Sequence, residues 1–193
     1  MISNTNLFQI GSFNFKLHHF AVIGILLLSF SISYTIKSQP LEYGTELHEF
    51  DPFFNFRATE YIVENGFSEY FQWVDDKSWY VSPKITDKWG IENVDASGRD
   101  VSATSQTMLH ITASITYQLF GGNSNLYDFT IYFPVVIISL TVIVIFALVR
   151  LFAGTTAGLI SSLLFAVSLP IAIRSMAGWF KSEPLGIFYG LLG

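Results

Sequence analysis

Apolar residues run almost unbroken through three stretches of the chain and begin a fourth. The first, Leu17 to Ile36, is interrupted only by His18, His19 and scattered hydroxyls, and Lys16 and Lys37 bracket it. The second, Tyr127 to Phe152, is rich in Ile and Val. The third is Thr155 to Ile173, separated from the second by Ala153 and Gly154 alone. Runs of this kind approach the ~20 residues that carry an α-helix across a bilayer, so the pattern predicts three spanning helices, the last two forming a tight hairpin. A secretory signal would have an apolar stretch of about 7–15 residues closed by a small-residue cleavage site. The first run is longer and lacks that site. A fourth span is expected to start at Pro184, since proline suits the first helical position. The chain stops at Gly193 inside that run, which reads as an N-terminal fragment of a longer protein.

Thr104 to Phe120 carries a different pattern. Met108, Leu109, Ile111, Ile115 and Leu119 recur at roughly helical spacing, while Gln106, His110 and Gln118 interrupt them. This predicts a helix lying on the membrane or packed within a loop. Residues 37–126 then form one long loop, with 13 Asp or Glu against 6 Lys or Arg. Lys16 and Arg150 fall on the opposite side. Long loops translocate largely regardless of charge, and short positive turns stay inside. The expected topology has a cytoplasmic N-terminus, an external acidic loop, and an external hairpin from Arg174 to Glu183. The expected division is 1–36, 37–126 and 127–193.

Composition agrees with lipid as solvent: the chain is 51% hydrophobic and only 13% charged, against roughly 25% charged for a soluble domain. The absence of cysteine rules out disulfides and thiolate metal sites within these 193 residues. A net charge of -5 argues against nucleic acid as a partner.

Three constellations carry candidate chemistry. His48-Glu49-Phe50-Asp51-Pro52 follows the first span closely. Pro52 biases Asp51 toward an extended backbone, and alternation would point the Glu49 and Asp51 carboxylates the same way. Oxygen donors of this type suit Mg²⁺ or Mn²⁺; the alternative is a helix-capping Asp with Phe53, Phe54 and Phe56 anchoring the loop to lipid. Arg174 through Pro184 is the second. There Glu183 would favour a helix N-terminus and Arg174 could hold a phosphate, or Arg174 and Lys181 are snorkelling cations. The third, Trp73 to Tyr80 followed by Gly98-Arg99, is either an interfacial aromatic belt or the wall of a pocket for a peptide or sugar.

These segments together resemble the catalytic subunit of oligosaccharyltransferase, especially its archaeal dolichyl-linked form. The residues that carry the resemblance are His48-Glu49-Phe50-Asp51-Pro52-Phe53-Phe54-Asn55-Phe56-Arg57, Trp73 through Tyr80, Gly98-Arg99, and Arg174 to Glu183, in that order. The resemblance implies an all-α polytopic membrane protein with a GT-C type transmembrane domain, of which this would be the N-terminal part. It implies transfer of a lipid-linked glycan, on dolichyl phosphate or pyrophosphate, to Asn in Asn-X-Ser/Thr sequences, with Mg²⁺ or Mn²⁺ holding the lipid phosphate. Glu49, Asp51 and Glu183 match catalytic carboxylates, with Asp51 and Glu183 on the metal; Arg174, Lys181, Arg57, Trp79 and Arg99 are the expected substrate contacts. Lys181 departs from the pattern, since the family has Asp there. Val81 to Ser97 is a longer spacer than many relatives show. The fragment alone is expected to be inactive, and a non-catalytic assembly protein of the same family is the alternative. A transporter is disfavoured, because the centres of the second and third runs hold no ionisable residue.

Overall fold

The computed structural model describes residues 6–10, 13–78 and 98–193. Trp79, the expected substrate contact, and the spacer up to Ser97 lie outside the described residues. The chain separates into two compact units. One comprises Met1–Glu46, Tyr132–Trp179 and Glu183–Gly193; the other comprises Leu47–Ile131 and Phe180–Ser182.

The first unit is built on apolar helices. An antiparallel hairpin of β1 (Asn6–Ile10) and β2 (Phe13–Lys16), which the hydropathy pattern did not announce, leads into α1 (Leu17–Ser38). The Lys16 amide donates to His19 Nδ1 at 3.1 Å, so one of the two histidines in this run serves the helix start. At ~1.5 Å per residue the 22 residues of α1 reach about 33 Å, enough for a ~30 Å hydrocarbon core. A 3₁₀ turn follows at Gln39–Tyr43.

The second apolar stretch forms α6 (Leu126–Ala166), which is broken at Gly154, with φ 82° and ψ 175°. That backbone is open essentially only to glycine, and it makes the two arms the predicted hairpin. Gly158 lets the arms close: a Cβ there would stand 2.9 Å from the Phe146 carbonyl oxygen. The second arm ends earlier than its hydropathy suggested. Instead of running to Ile173 it stops at Ala166, and a separate short helix, α7 (Leu169–Ile173), follows. Pro170 is the reason. It has no N–H to give the carbonyl four residues back, which is that of Ala166. Lys37 Nζ donates to that orphaned carbonyl at 3.1 Å and to Ser33 Oγ at 3.0 Å. Lys37, expected as a bracket at the membrane edge, is fully buried. Its own carbonyl accepts from the Ala177 amide at 2.9 Å. Two helices, Leu17–Tyr43 and Leu126–Ala166, are long and apolar enough to cross a membrane.

The second unit is folded around the polar loop. Its helices are α2 (Phe50–Asn65), α3 (Phe67–Tyr70), α4 (Val101–Thr104) and α5 (Thr107–Phe120), with β3 (Val74–Asp75) paired antiparallel to β4 (Arg99–Asp100). Ala58, Ile62, Tyr70 and Val101 form the core, flanked by Phe54, Tyr61, Trp73 and Ile111. Trp73 stacks on Tyr61 with centroids 4.2 Å apart at the flank of this core. The 14 residues of α5 span about 21 Å, too short to cross a bilayer. Leu109, His110, Ala113 and Ser114 are its buried side, while Met108, Ile115, Leu119 and Phe120 stay exposed. The small strands make the chain mostly helical rather than purely so. The last helix, α8 (Ser182–Leu192), carries Glu183 and Pro184 in its first turn, where backbone N–H groups need no intrahelical acceptor.

Candidate functional site

The structure corrects the expected conformation of the first motif. Asp51 is not extended; α2 already begins at Phe50, with Asp51 in its first turn. Proline is tolerated in a first helical turn, and acidic side chains are favoured at this end of a helix by its dipole. The abrupt change of direction falls on Glu49 instead, which has φ 69° and ψ 179° and is the one non-glycine residue with positive φ among those described. Such backbone costs about 1–3 kcal/mol and tends to be retained where function needs it.

Lys181 meets this turn. Its Nζ lies 2.6 Å from Glu49 Oε2 and 3.1 Å from Asp51 Oδ2. The ammonium is nearly buried, with its side chain 10% exposed, while Glu49 and Asp51 are 54% and 68% exposed. Burial alone would favour neutral lysine, but the hydrogen bonds and charges of Glu49 and Asp51 outweigh it and hold the ammonium above the usual lysine range. The two carboxylates therefore share one cation and still face solvent.

A buried polar chain seats Lys181. Asn55, one helical turn beyond Asp51, donates through Nδ2 to the Phe180 carbonyl at 2.9 Å and to Gln106 Oε1 at 3.3 Å. Since Nδ2 faces these acceptors, Oδ1 must accept, and it does so from His110 Nε2 at 2.9 Å. The other ring nitrogen, Nδ1, then accepts from the Tyr70 hydroxyl at 2.7 Å. Burial, and secondarily the Arg99 charge, push His110 down to about 3, so the imidazole is neutral in this tautomer. Asn55, His110 and Tyr70 are all buried. Sequence reasoning missed them as site residues: His110 registered only as an interruption of an apolar pattern, and Asn55 only as a letter in a motif.

Arg57 and Arg99 line a cleft of about 590 Å³ that also includes Asp51, Phe53, Phe54, Lys77 and Ser78. Both are already engaged. Arg57 pairs with buried Asp75, which also accepts from Ser78 Oγ and, at 3.1 Å, from the Lys77 amide. Arg99 donates to Thr104 Oγ1 at 3.0 Å and lies 4.2 Å over the Phe54 ring. Arg57 Nε is buried without a hydrogen-bond partner. In the other unit, Arg174 lies 3.6 Å from Glu183 and 5.3 Å over the Trp179 ring. The two halves of the expected second motif thus fall differently: Lys181 is packed with Glu49 and Asp51, whereas Glu183 pairs with the Arg174 guanidinium.

The donors at the first motif do not fit a divalent ion as they are arranged. Among the described residues no three His, Cys, Asp or Glu side chains converge as a metal site. A divalent ion on Asp51 Oδ2, at an ordinary metal–oxygen distance of about 2.1 Å, would stand up to about 5 Å from the Lys181 ammonium, which is 3.1 Å from that oxygen. Repulsion between +2 and +1 at about 5 Å is about 1.7 kcal/mol in water and about 7 kcal/mol at an effective dielectric of 20.

Two helices long and apolar enough to cross a membrane, an acidic motif just after the first of them, and a lysine from late in the chain paired with that motif are the features of a membrane protein with a polar site. Residues 15–90 match the family described as oligosaccharyl transferase STT3, N-terminal. Along most of its length the chain is similar to subunits named dolichyl-diphosphooligosaccharide–protein glycosyltransferase. It is 29% identical over 174 residues to subunit STT3B of Oryza sativa subsp. japonica, covering 88% of this chain and 22% of that protein. It is 31% identical over 170 residues to subunit STT3A of the same plant, covering 86% and 19%. With subunit stt3 of Schizosaccharomyces pombe it shares 28% identity over 150 residues, 76% of this chain and 18% of the relative. The chain spans about a fifth of the length of the curated relatives it matches.

Proposed function

We propose that this chain is the donor- and acceptor-facing first part of a membrane glycosyltransferase of the oligosaccharyltransferase type. It acts on a glycan carried by dolichyl phosphate or pyrophosphate and on Asn in Asn-X-Ser/Thr sequences. The archaeal dolichyl-linked form is our preferred relative, on the strength of the run from His48 to Arg57. The observation that carries the reading is the exposed Asp51 carboxylate, fixed at the start of α2 beside a cleft, in a chain similar to named glycosyltransferase subunits.

The chemistry asked of the site follows. The amide nitrogen of Asn forms a bond to the anomeric carbon of the glycan. The bond from that carbon to the phosphate oxygen breaks, its electron pair leaves with the phosphate, and the nitrogen gives up one proton. An amide nitrogen is a poor nucleophile because its lone pair is conjugated. Asp51, accepting hydrogen bonds from the amide N–H groups, weakens that conjugation, and cations near the leaving phosphate stabilise its charge. In this reading Arg57 and Arg99, which border the cleft, are the substrate contacts.

In this reading the protein is multi-pass, with its N-terminus cytoplasmic and residues 37–126 external. The chain contains no cysteine, so single introduced cysteines report sidedness directly. The test of function is transfer of a lipid-linked glycan to an Asn-X-Thr peptide by the protein expressed from its full reading frame. We expect a fall of 10²-fold or more in Asp51→Ala. Transfer unaffected by Asp51→Ala would sink the reading. A second reading, a non-catalytic assembly subunit, is favoured by the double engagement of Glu49 and Asp51 by Lys181; it predicts no transfer by the parent protein under any condition.

A further inference from the structure

We infer that Lys181 takes the place of a divalent cation at the Glu49–Asp51 pair, so that this pair works without a metal ion. The inference rests on the transferase reading for its activity test and on geometry for its substance.

A divalent ion at a carboxylate pair does two things: it cancels the repulsion between the acids and fixes their oxygens relative to each other. Lys181 already does both. One nearly buried ammonium donates a charge-assisted hydrogen bond to Glu49 Oε2 at 2.6 Å and forms an ion pair with Asp51 Oδ2 at 3.1 Å. A flexible surface lysine would make such contacts only in passing. This one is held at its root, because the carbonyl of the preceding residue, Phe180, accepts from buried Asn55. Asn55 is in turn oriented by His110 and Tyr70. The Glu49 backbone lies in a region costly for any residue but glycine, which brings its carboxylate round to meet the ammonium. The arrangement is a built one: three buried side chains and a strained turn serve a single cation. No further carboxylate or histidine gathers there among the described residues to offset the positive charge.

The test uses the protein expressed from its full reading frame, purified and reconstituted in lipid, with Mn²⁺ itself as probe. Electron paramagnetic resonance measures Mn²⁺ binding, and transfer is measured in EDTA and in Mn²⁺. The expectation is that wild type keeps at least half its transfer rate in EDTA and that Asp51→Ala leaves its Mn²⁺ binding unchanged. Lys181→Asp should bind Mn²⁺ at least tenfold more tightly than wild type, a gain that the added Asp51→Ala removes, and its transfer should become dependent on Mn²⁺. Lys181→Met should lose transfer tenfold or more with no gain in Mn²⁺ binding. Two results overturn the inference: a tenfold loss of wild-type transfer in EDTA that Mn²⁺ restores, or wild-type Mn²⁺ binding that Asp51→Ala abolishes. A parent protein with no transfer at all counts against the transferase reading, and Mn²⁺ binding then still decides between a lysine-filled and a metal-filled pair.

Discussion

Replacing Asn55 by Leu, nearly the same size, tests whether the buried polar chain holds the site. The substitution strips the Phe180 carbonyl of its donor and His110 Nε2–H of its acceptor, and both groups lie where the residues are buried. A buried group left without its partner costs about 1–3 kcal/mol, so the pair of losses comes to about 2–6 kcal/mol. Against a typical folding free energy of about 5–15 kcal/mol that is a large fraction. Native-state hydrogen exchange of the α5 amides, in protein reconstituted in nanodiscs, reads it directly. At tenfold per 1.4 kcal/mol, exchange should speed up roughly 30-fold to 10⁴-fold in the amides around His110. A double-mutant cycle with His110→Phe should return a coupling of about 0.5–3 kcal/mol, because the two side chains share one hydrogen bond. Exchange within about threefold of wild type in Asn55→Leu would refute the reasoning, since it would mean that water or a rearranged partner satisfies both orphaned groups.

Acid should loosen the same chain. The folded-state value for His110 is about 3 against 6.5 ordinarily; with the folded value depressed, the unfolded state binds the proton first, so stability falls as pH drops below about 6.5, by about 2 kcal/mol at pH 5. The groups facing His110 are the Tyr70 hydroxyl and the Arg99 guanidinium; a stability–pH profile that is unchanged in His110→Gln would count against this assignment. Asp75→Ala leaves Arg57 without its carboxylate; because Arg57 is 34% exposed, we expect about 1–3 kcal/mol rather than the 3–5 kcal/mol of a fully buried pair, measured by thermal unfolding, with faster exchange at β3 and β4. Gly154→Ala forces a side chain onto φ 82° and ψ 175° with no steric contact to blame, so the hairpin should lose about 1–3 kcal/mol through backbone strain alone, visible as increased protease cutting at the turn.

Hydropathy by itself determined the apolar helices, because lipid-facing segments must satisfy every backbone group internally and so declare themselves by length and composition. Leu17–Ser38 lies within two residues of its predicted end, and the Ala153–Gly154 turn is where the sequence put it. The same signal overran at Ala166, since hydropathy counts Leu169 to Ile173 as apolar but does not register the hydrogen bond that Pro170 withholds. Motif reading picked out Glu49, Asp51 and Lys181 as letters, and it assigned the pair an extended backbone from the general preference of residues before proline. Tertiary structure decided otherwise: a helix start at Phe50, a strained turn at Glu49, and the return of Phe180–Ser182 to Asn55. Lys181 and Asp51 are 130 residues apart along the chain, and no local propensity records which distant ammonium a carboxylate will meet. That pairing exists because Asn55, His110 and Tyr70, buried together, have hydrogen-bonding needs that one another and the Phe180 carbonyl satisfy; in a dry interior such needs are costly to leave unmet, and meeting them fixes the chain segment that carries the cation.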